Sequence, residues 1–360
     1  MELLFKPDWE ETKQRYRAWW GHEYFGRCGL SVIAPKKNPP PTPEAPQAAS
    51  VQQQWYDLDH ISAWQQYSMS RTFYGGEAVP IWNGGYPGHT SIPVFCGCKC
   101  ELDWNTGWVY PMLTGEGLAY QSLRIHAECR EYKFALDLLR RGVQEAAGKS
   151  LVSVGAFGGG GDTLSGLRGT DRLLIDYMDR PEQVKAAEER CMDLFIEYYE
   201  TIYSITRQAN EGSICWFGTW APGKQYCAHN DFSYMISPKM FRELFLPAIE
   251  RQTRYLDYTT YHVDGIAAFA HVDALCELPR LQVIQILPGA GKPSPLHYMD
   301  VLKKVQARKR NLHISLEPRE VRAALENLSA RGLYICTWCD TEDQARALLK
   351  DAEEWSVDRG

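Results

Sequence analysis

The sequence predicts an α/β protein of the (β/α)8 TIM-like barrel class with an N-terminal elaboration of helices and loops. Two observations support this prediction. After residue 130, short apolar β-rich runs alternate with helical patterns, which is typical of parallel strands joined by crossover helices. Several of these runs end in residues that can bind metals or substrates. Because barrels of this class gather their functional groups at the C-terminal ends of the strands, we expect an enzyme.

The N-terminal elements come first in this scheme. Residues 8–20 carry apolar side chains near helical spacing, and the apolar run 30–34 follows as a first strand. Residues 35–50 are too rich in proline for regular structure and predict a surface loop. Residues 74–111 are rich in glycine and aromatic residues and predict an elaborate loop region over one end of the barrel.

Regular β/α units are expected to follow. We therefore treat 1–360 as one domain, in which 1–130 form the elaboration with the first strand and 131–360 form the regular units. Proline as first helical residue and a Thr-Glu-Asp-Gln capping box mark two of the helix starts. The predicted strands cover 151–155, 213–217, 259–263, 283–286, 312–316 and 333–336. The predicted helices cover 130–146, 181–208, 239–256, 296–309, 319–330 and 344–354.

A doubly wound sheet is the alternative topology. Four glycines at 158–161 follow a strand, but they lack the spacing of a dinucleotide loop and the lysine of a P-loop. They predict a flexible loop at the C-terminal end of a strand. Asp162 and Arg168 lie just beyond it, where a barrel would place substrate contacts; a salt bridge within the loop is the other interpretation.

Composition narrows the function classes. The net charge is −6 with no long basic run, which argues against a nucleic-acid surface and favours a small-molecule substrate. The sequence contains no apolar run of membrane-spanning length, and the N-terminus has no basic segment followed by an apolar core, so we expect a cytoplasmic protein without a membrane partner. Eleven cysteines without a secretion signal suggest reduced thiols. A monomer and a homodimer are equally compatible with the sequence.

Candidate ligands concentrate at two strand ends. His262 and Asp264 lie in residues 261–265 (Tyr-His-Val-Asp-Gly), and Cys339 lies in the turn before the last helix. Each of these residues also has a structural interpretation that competes with metal binding. His262 could be a core histidine, and Asp264 could cap the following helix. Cys336, three residues before Cys339, is the competing thiol.

Further polar or aromatic residues occupy other predicted strand ends. Trp216, Asp231 and Gln285 are expected to contact substrate. Glu317 is a candidate catalytic acid, although a carboxylate at a helix start is also favoured by the helix dipole.

Three motifs and the opening of the chain resemble the uroporphyrinogen decarboxylase superfamily, in particular its corrinoid-dependent methyltransferase branch. They are residues 261–265, residues 314–318 (Ile-Ser-Leu-Glu-Pro) and Cys339-Asp340. The opening helix and first strand, residues 19–35, are also similar to that branch. The resemblance covers nearly the whole chain in the same order.

The resemblance implies a TIM-like barrel that binds zinc through a His-x-Cys pair and a distant cysteine. Carried over by residue, these positions are His262, Asp264 in place of the first cysteine, and Cys339. Carboxylate is an accepted zinc ligand, but it is harder than thiolate, so this departure also admits another divalent metal.

The implied reaction moves a methyl group between a corrinoid (methylcobamide), carried by a corrinoid protein, and a thiol or pterin acceptor. The metal would lower the pKa of a thiol, and the aromatic residues of 82–110 would form an apolar rim. One alternative is a decarboxylase or lyase acting on a small carboxylated substrate. Another is a metal-dependent enzyme that uses Asp264 and Glu317 as acid and base. Non-catalytic corrinoid binding is disfavoured because the chain has no Asp-x-His-x-x-Gly motif.

Overall fold

The computed structural model of the protein describes residues 2–41, 44–83, 85, 87–153 and 155–360. Its strands are β1 (Gly29–Pro35), β2 (Thr72–Gly76), β3 (Ile81–Trp82), β4 (Lys99–Leu102), β5 (Gly107–Tyr110), β6 (Leu151–Val152), β7 (Ser213–Ile214), β8 (Trp220–Ala221), β9 (Gln225–His229), β10 (Tyr258–Asp264), β11 (Val283–Leu287), β12 (Asn311–Ser315) and β13 (Leu333–Trp338).

The α-helices are α1 (Trp9–Trp20), α2 (Val51–Tyr56), α3 (Leu58–Ser70), α4 (Ile92–Phe95), α5 (Arg130–Ala146), α6 (Gly161–Arg168), α7 (Thr170–Asp179), α8 (Pro181–Asn210), α9 (Pro238–Met240), α10 (Leu246–Tyr255), α11 (Val272–Glu277), α12 (Met299–Ala307), α13 (Val321–Asn327) and α14 (Glu342–Trp355). A π-helical turn, Phe241–Phe245, joins α9 to α10. Short 3₁₀ turns precede α11, α12 and α13.

A seven-stranded sheet forms the centre of the molecule, with the order β2-β1-β13-β12-β11-β10-β9. Six of its strands, β1, β13, β12, β11, β10 and β9, pair in parallel, and β2 pairs antiparallel with β1 at one edge. Strands β3 and β6 form a separate parallel pair. The architecture is therefore mixed α/β with a central parallel sheet, and strand pairing in the described residues does not close it into a barrel.

Most of the predicted elements are present. Helices α1, α5, α8 and α14 and strands β1, β10, β11, β12 and β13 lie where the sequence predicted them. Of the loop predicted at 35–50, Pro35 is the last residue of β1, and the other described residues contain no helix or strand; Thr42 and Pro43 lie outside the described residues. The strand predicted at 151–155 consists of Leu151 and Val152 only; Val154 lies outside the described residues.

Two predictions were wrong in detail. The run 213–217 is not a strand of the central sheet: Ser213–Ile214 pairs antiparallel with Trp220–Ala221, and Gln225–His229, which the sequence analysis did not identify, pairs with β10 instead. The region 74–111 contains more regular structure than a loop, namely β3, α4 and the β4–β5 hairpin. Gly84 and Tyr86 of that region lie outside the described residues.

Helix α1 covers the N-terminal ends of the strands with a cluster of aromatic side chains. Trp9 packs edge-on against Trp220 at 5.4 Å, and the Tyr16 and Tyr334 hydroxyl groups are 2.8 Å apart. The cluster also contains Leu151 and Val283, each the first residue of its strand. Burial of these large side chains stabilises one end of the sheet, so the opposite, C-terminal end is available for a functional site.

A buried ion-pair network holds the N-terminal elements to the sheet. Glu77, 1% exposed, accepts hydrogen bonds from both Arg27 Nη atoms (2.6 and 2.7 Å), from Arg15 Nε (2.6 Å) and from the Leu30 amide (2.6 Å). Burial alone would raise the pKa of Glu77, but the two arginines outweigh it and hold this pKa below its ordinary value.

Within the described ranges, no helix combines the length with the hydrophobicity that a membrane crossing requires. The eleven cysteines are all free thiols.

Candidate metal and active site

Three neighbouring parallel strands bring polar side chains together at one end of the central sheet. The register pairs His262 of β10 with His229 of β9 on one side and with Gln285 of β11 on the other. Paired residues of adjacent strands face the same side of a sheet, and so do residues two apart on one strand. Asp264 therefore lies on the same face as His262, one step closer to the strand end.

His262 is held in a defined orientation. Its ring is 6% exposed, and Nδ1 donates a hydrogen bond to Gln285 Oε1. With the proton on Nδ1, the lone pair is on Nε2, which lies 3.8 Å from Asp264 Oδ2 and 4.0 Å from Asp231 Oδ1. The predicted substrate contact Gln285 is thus placed as the residue that orients this imidazole.

A second histidine is oriented by a carboxylate. His229 Nδ1 donates to Asp162 Oδ2 at 2.5 Å, and the same carboxylate accepts the backbone amides of Asp231 and Phe232 at 3.0 Å each. The buried His229 Nε2 atom has no hydrogen-bond partner among the described residues. Asp162, predicted to contact substrate, therefore lies behind His229 with both of its oxygens bonded.

The charges of this group shift the pKa values of three side chains. Burial opposes ionisation of both members of the Asp162–His229 pair, but their mutual interaction outweighs it, so the pKa of Asp162 is lowered and the pKa of His229 is raised. Partial burial, followed by the charge of Asp162, raises the pKa of Asp231.

These residues fit a divalent metal ion. Two overlapping sets have ligand atoms within 4.8 Å of one another: Asp162, His229 and Asp231, and Asp231, His262 and Asp264. Imidazole nitrogen and carboxylate oxygen are ordinary ligands of zinc and of other first-row divalent metals. Metal-binding histidines usually donate their second N–H to a nearby acceptor, which is the arrangement of His262 with Gln285.

Aromatic rings form the wall behind the two imidazoles. The Trp216 ring lies edge-on to His229 at 5.9 Å and to His262 at 5.6 Å, and Phe217 lies 5.1 Å from His262. The buried Trp216 Nε1 has no hydrogen-bond partner among the described residues. Trp216, predicted to contact substrate, is thus placed against both histidines, where it shields them from water.

The opening of the site is a cleft of about 740 Å³, part of it open solvent, lined by Asp231, Tyr234, Asp264, Lys292 and the loop after β11. Gly265 has φ +86°, and a Cβ there would lie 2.5 Å from the Tyr234 ring. Gly289 has φ +98°, and its Cβ would lie 3.4 Å from the Gly265 Cα atom. The positive φ values would strain a side chain at either position, and the Tyr234 ring also leaves no space for one at Gly265.

Two predicted site residues lie elsewhere. Cys339, the proposed third ligand, and Glu317, the proposed catalytic acid, line a different cleft between the ends of β12 and β13 and helix α14. Among the described residues, no ligand group includes Cys339 together with His262. Glu317 caps the 3₁₀ turn Pro318–Glu320 and pairs with Arg319 at 2.6 Å, in solvent. The structure therefore does not assemble the predicted set His262, Asp264 and Cys339.

Cys336, the competing thiol, and Arg168, a predicted substrate contact, also interact with residues outside this site. Cys336 Sγ lies 3.2 Å from His313 Nε2 in the interior, and burial raises the Cys336 pKa to about 12. Arg168, 4% exposed, bonds Asp176 Oδ2 at 2.6 Å and the carbonyls of Leu113 and Gly115. Of the two roles considered for Arg168, a substrate contact and a salt bridge, the structure shows the salt bridge. The Arg168 guanidinium anchors the loop before α5 to helix α7.

Two residues of the site, His229 and Phe217, were not predicted from the sequence. His229 is followed by the polar residues Asn230 and Asp231, but the strand that ends in His229 was not predicted. A signal was present, because His229 is two residues before Asp231 in the same way that His262 is two residues before Asp264.

Comparisons with known proteins give information about the fold. No family model and no curated protein matches the sequence. The structure is similar to that of a methyltransferase from Methanosarcina mazei, with a TM-score of 0.65 over 96% of this chain and 98% of that chain, at 10% identity. The homocysteine methyltransferase MmuM from Escherichia coli gives a TM-score of only 0.31 over 60% of this chain and 84% of that chain, at 15% identity. This score is too low to indicate a shared fold. The protein thus shares its fold with a methyltransferase over nearly its whole length.

Proposed function

We propose that the protein is a metal-dependent methyltransferase whose metal is held by Asp231, His262 and Asp264. The observation that carries this proposal is the orientation of His262: Nδ1 is bonded to Gln285, and Nε2 faces two carboxylates. The fold shared with a methyltransferase over 96% of the chain supports the class of reaction.

The proposal includes a complete barrel formed by residues 1–360. Eight parallel strands are available if the β3–β6 pair fills the gap between β9 and the edge formed by β1 and its antiparallel partner β2. Two contacts support this placement: the Phe157 amide, in the loop after β6, donates to the Tyr226 hydroxyl group of β9 at 3.0 Å, and the two rings are 4.6 Å apart. The site would then lie at the C-terminal mouth of the barrel, the usual position in this fold.

A bound divalent metal would supply Lewis acidity that lowers the pKa of an acceptor thiol. Side chains of the protein would carry out the proton transfer. His229 Nε2 would accept the proton of the thiol, and Asp162 would stabilise the imidazolium through Nδ1. The sulfur would then attack the methyl carbon of a methylcobamide, so that an S–C bond forms, the Co–C bond breaks and its electron pair remains on cobalt.

Substrates and partners follow from that scheme. The methyl donor would be a corrinoid carried by a corrinoid protein, and the acceptor a thiol or a pterin. Lys292, on the rim of the cleft that contains Asp231 and Asp264, would attract an anionic group of the acceptor. Trp216 and Phe217 would exclude water from the rear of the site.

Metal content of the purified protein, measured by mass spectrometry, tests the proposal. About one zinc or other divalent ion per chain is expected, and His262→Ala should abolish it. Cys339→Ser is the matched control: we expect it to retain the metal, because Cys339 lines another cleft. A folded protein without metal, or loss of metal in Cys339→Ser but not in His262→Ala, would contradict the ligand assignment. Methylcobalamin with thiol acceptors then tests methyl transfer.

One observation favours a second function. Asp231 has a raised pKa and shares its cleft with Lys292, an arrangement suited to general acid catalysis on a small carboxylated substrate, as in a decarboxylase or lyase. In that reaction Asp231 would donate the proton and Lys292 would bind the carboxylate. Turnover that needs no methyl donor would distinguish this function from methyl transfer.

A further inference from the structure

A second cavity, which the proposed function does not use, lies beside helices α2 and α3. It contains about 990 Å³ of space, part of it open solvent, and residues 46–48, Gly85 and Trp104 complete its walls. Among the described residues, it shares none of its lining with the cleft that contains Asp231 and Asp264. Clefts of this size accommodate small organic ligands, so the cavity is a candidate binding site separate from the metal cluster.

The lining combines aromatic faces with neutral polar groups. Among the described residues that line the cavity, none is Lys, Arg, Asp or Glu, although 23% of the chain is charged. This lining disfavours a charged ligand, because the ligand would lose its hydration without gaining an ion pair. The aromatic and polar side chains of the lining are Trp55, Trp64, Trp104, Gln47, Gln54, Gln65 and His60.

The polar side chains of the lining offer both donors and acceptors. Each of the three glutamines donates one N–H to a backbone carbonyl group, of Ala45, Trp104 or Asn83, and keeps its second N–H. Within the described part of the chain, no hydrogen bond reaches the Oε1 atoms of these glutamines or involves Nε1 of Trp64 or Trp104. A ligand that covers these groups without bonding them would leave them unpaired, which is costly, so the ligand should itself carry both donors and acceptors.

The indole rings supply stacking surfaces. Trp64 and Trp104 are 44% and 45% exposed, so part of each ring is free to contact a ligand. Two hydrogen bonds tie helix α2 to the turn of the β4–β5 hairpin: Gln54 Nε2 donates to Trp104 O at 2.6 Å, and Trp55 Nε1 donates to Asp103 O at 2.8 Å. These bonds hold two walls of the cavity together, which reduces the entropy that a ligand must remove on binding.

We propose that this cavity binds a neutral β-1,4-linked oligosaccharide. The C–H groups of such a pyranose ring form a flat apolar face that packs on indole, and its hydroxyl groups lie around the edge of the ring. Each hydroxyl group both donates and accepts, so it can bond a glutamine Oε1 atom and a free N–H at the same time.

Other neutral ligands match this lining less completely. A flat aromatic ring without hydroxyl groups would stack on the indoles but leave the amide groups unpaired. A proline-rich peptide supplies carbonyl acceptors but few N–H donors, because proline has none, so it would not satisfy the glutamine Oε1 atoms. The combination of indole faces with both kinds of hydrogen-bonding group therefore favours the saccharide.

Titration with cellotetraose, xylotetraose and mannotetraose, followed by tryptophan fluorescence and by calorimetry, tests this assignment. We expect saturable binding of at least one of them, with one molecule per chain, weakened about 10-fold by Trp64→Ala and by Trp104→Ala. Trp64→Phe, which keeps a stacking face, should lose less affinity than Trp64→Ala. Circular dichroism would confirm that the variants fold. Trp108→Ala is the matched control: Trp108 is 52% exposed on the same hairpin but does not line the cavity, so its loss should leave binding unchanged.

Several results would overturn the inference. Absence of binding of all three oligosaccharides at millimolar concentration, or equal affinity of the wild-type protein and both alanine variants of the cavity, would remove the site. Equal or tighter binding of quinoxaline, a flat ring without hydroxyl groups, would contradict the role of the amide groups, and preferential binding of a decaproline peptide would contradict the ligand class. The titrations are run with and without chelator and without a methyl donor, so their outcome does not depend on the proposed metal or methyl transfer.

Discussion

Replacing Gln285 by leucine should weaken divalent metal binding without unfolding the protein. Gln285 is 2% exposed, lies in the middle of β11, and accepts the Nδ1–H of His262. Leucine is similar in size and apolar, so packing is largely retained. The imidazole, however, loses the acceptor that directs its Nε2 lone pair toward Asp231 and Asp264.

The expected size of the effect follows from that single bond. A buried N–H group left without an acceptor costs about 1–3 kcal/mol, and removal of a partner that orients a ligand lowers metal affinity by about 10- to 100-fold. Gln285→Glu offers the opposite change: a carboxylate accepts the same hydrogen bond more strongly, so the Zn²⁺ affinity should be equal to or higher than that of the wild-type protein.

Zn²⁺ competition against a chromophoric chelator at neutral pH measures both variants. We expect the Zn²⁺ affinity of Gln285→Glu to equal or exceed that of the wild type, and the affinity of the wild type to be well above that of Gln285→Leu. Unchanged Zn²⁺ affinity in a folded Gln285→Leu variant would refute the role of His262 as an oriented ligand. A urea unfolding curve for each variant separates loss of affinity from loss of fold.

Three further predictions follow from the structure. Glu77→Gln should lower the free energy of unfolding at pH 7 by about 3–5 kcal/mol, because it leaves buried arginine charge uncompensated. Since the folded-state pKa of Glu77 is lowered, its contribution to stability is present above the ordinary pKa of a glutamate and is lost as the pH falls through the lowered value. The difference in unfolding free energy between Glu77→Gln and the wild type, measured with urea from pH 7 to pH 3, should therefore shrink. The exposed control Glu101→Gln should differ little from the wild type at any pH. Asp162→Asn should lower the raised pKa of His229 in metal-free protein, and an unchanged imidazole titration by NMR would contradict the ion pair. Gly265→Ala should lower the melting temperature by several degrees and weaken metal binding, because its φ of +86° and the Tyr234 ring leave no room for a Cβ; a melting curve equal to that of the wild type would refute the assigned strain.

Local patterns predicted the elements that depend on local interactions. Helix α14 begins one residue after Thr341, whose hydroxyl group accepts the Gln344 amide as the capping box requires. Strand β10 was found from an apolar run that ends in Asp264. Such signals act over a few residues, so they are readable without knowing the partners of the element.

The strand that carries His229 was missed because its local signal is weak. Residues 225–229 (Gln-Tyr-Cys-Ala-His) begin and end with polar side chains, and the stronger apolar run at 213–217 lies just before them. What makes β9 a strand of the central sheet is its parallel pairing with β10 from Tyr258 to His262. That pairing joins residues about thirty positions apart and has no local signature.

Local sequence patterns were enough to predict an α/β chain and to place His262 and Asp264 at a strand end. Which groups join these two residues depends on the tertiary structure. Two strands separate β13 from β10 in the sheet, so Cys339 does not reach the cluster, whereas β9 and β11 flank β10 and contribute His229 and Gln285. Adjacent strands lie about 4.8 Å apart, so strand order, which is set by long-range packing, decides which side chains can share a ligand.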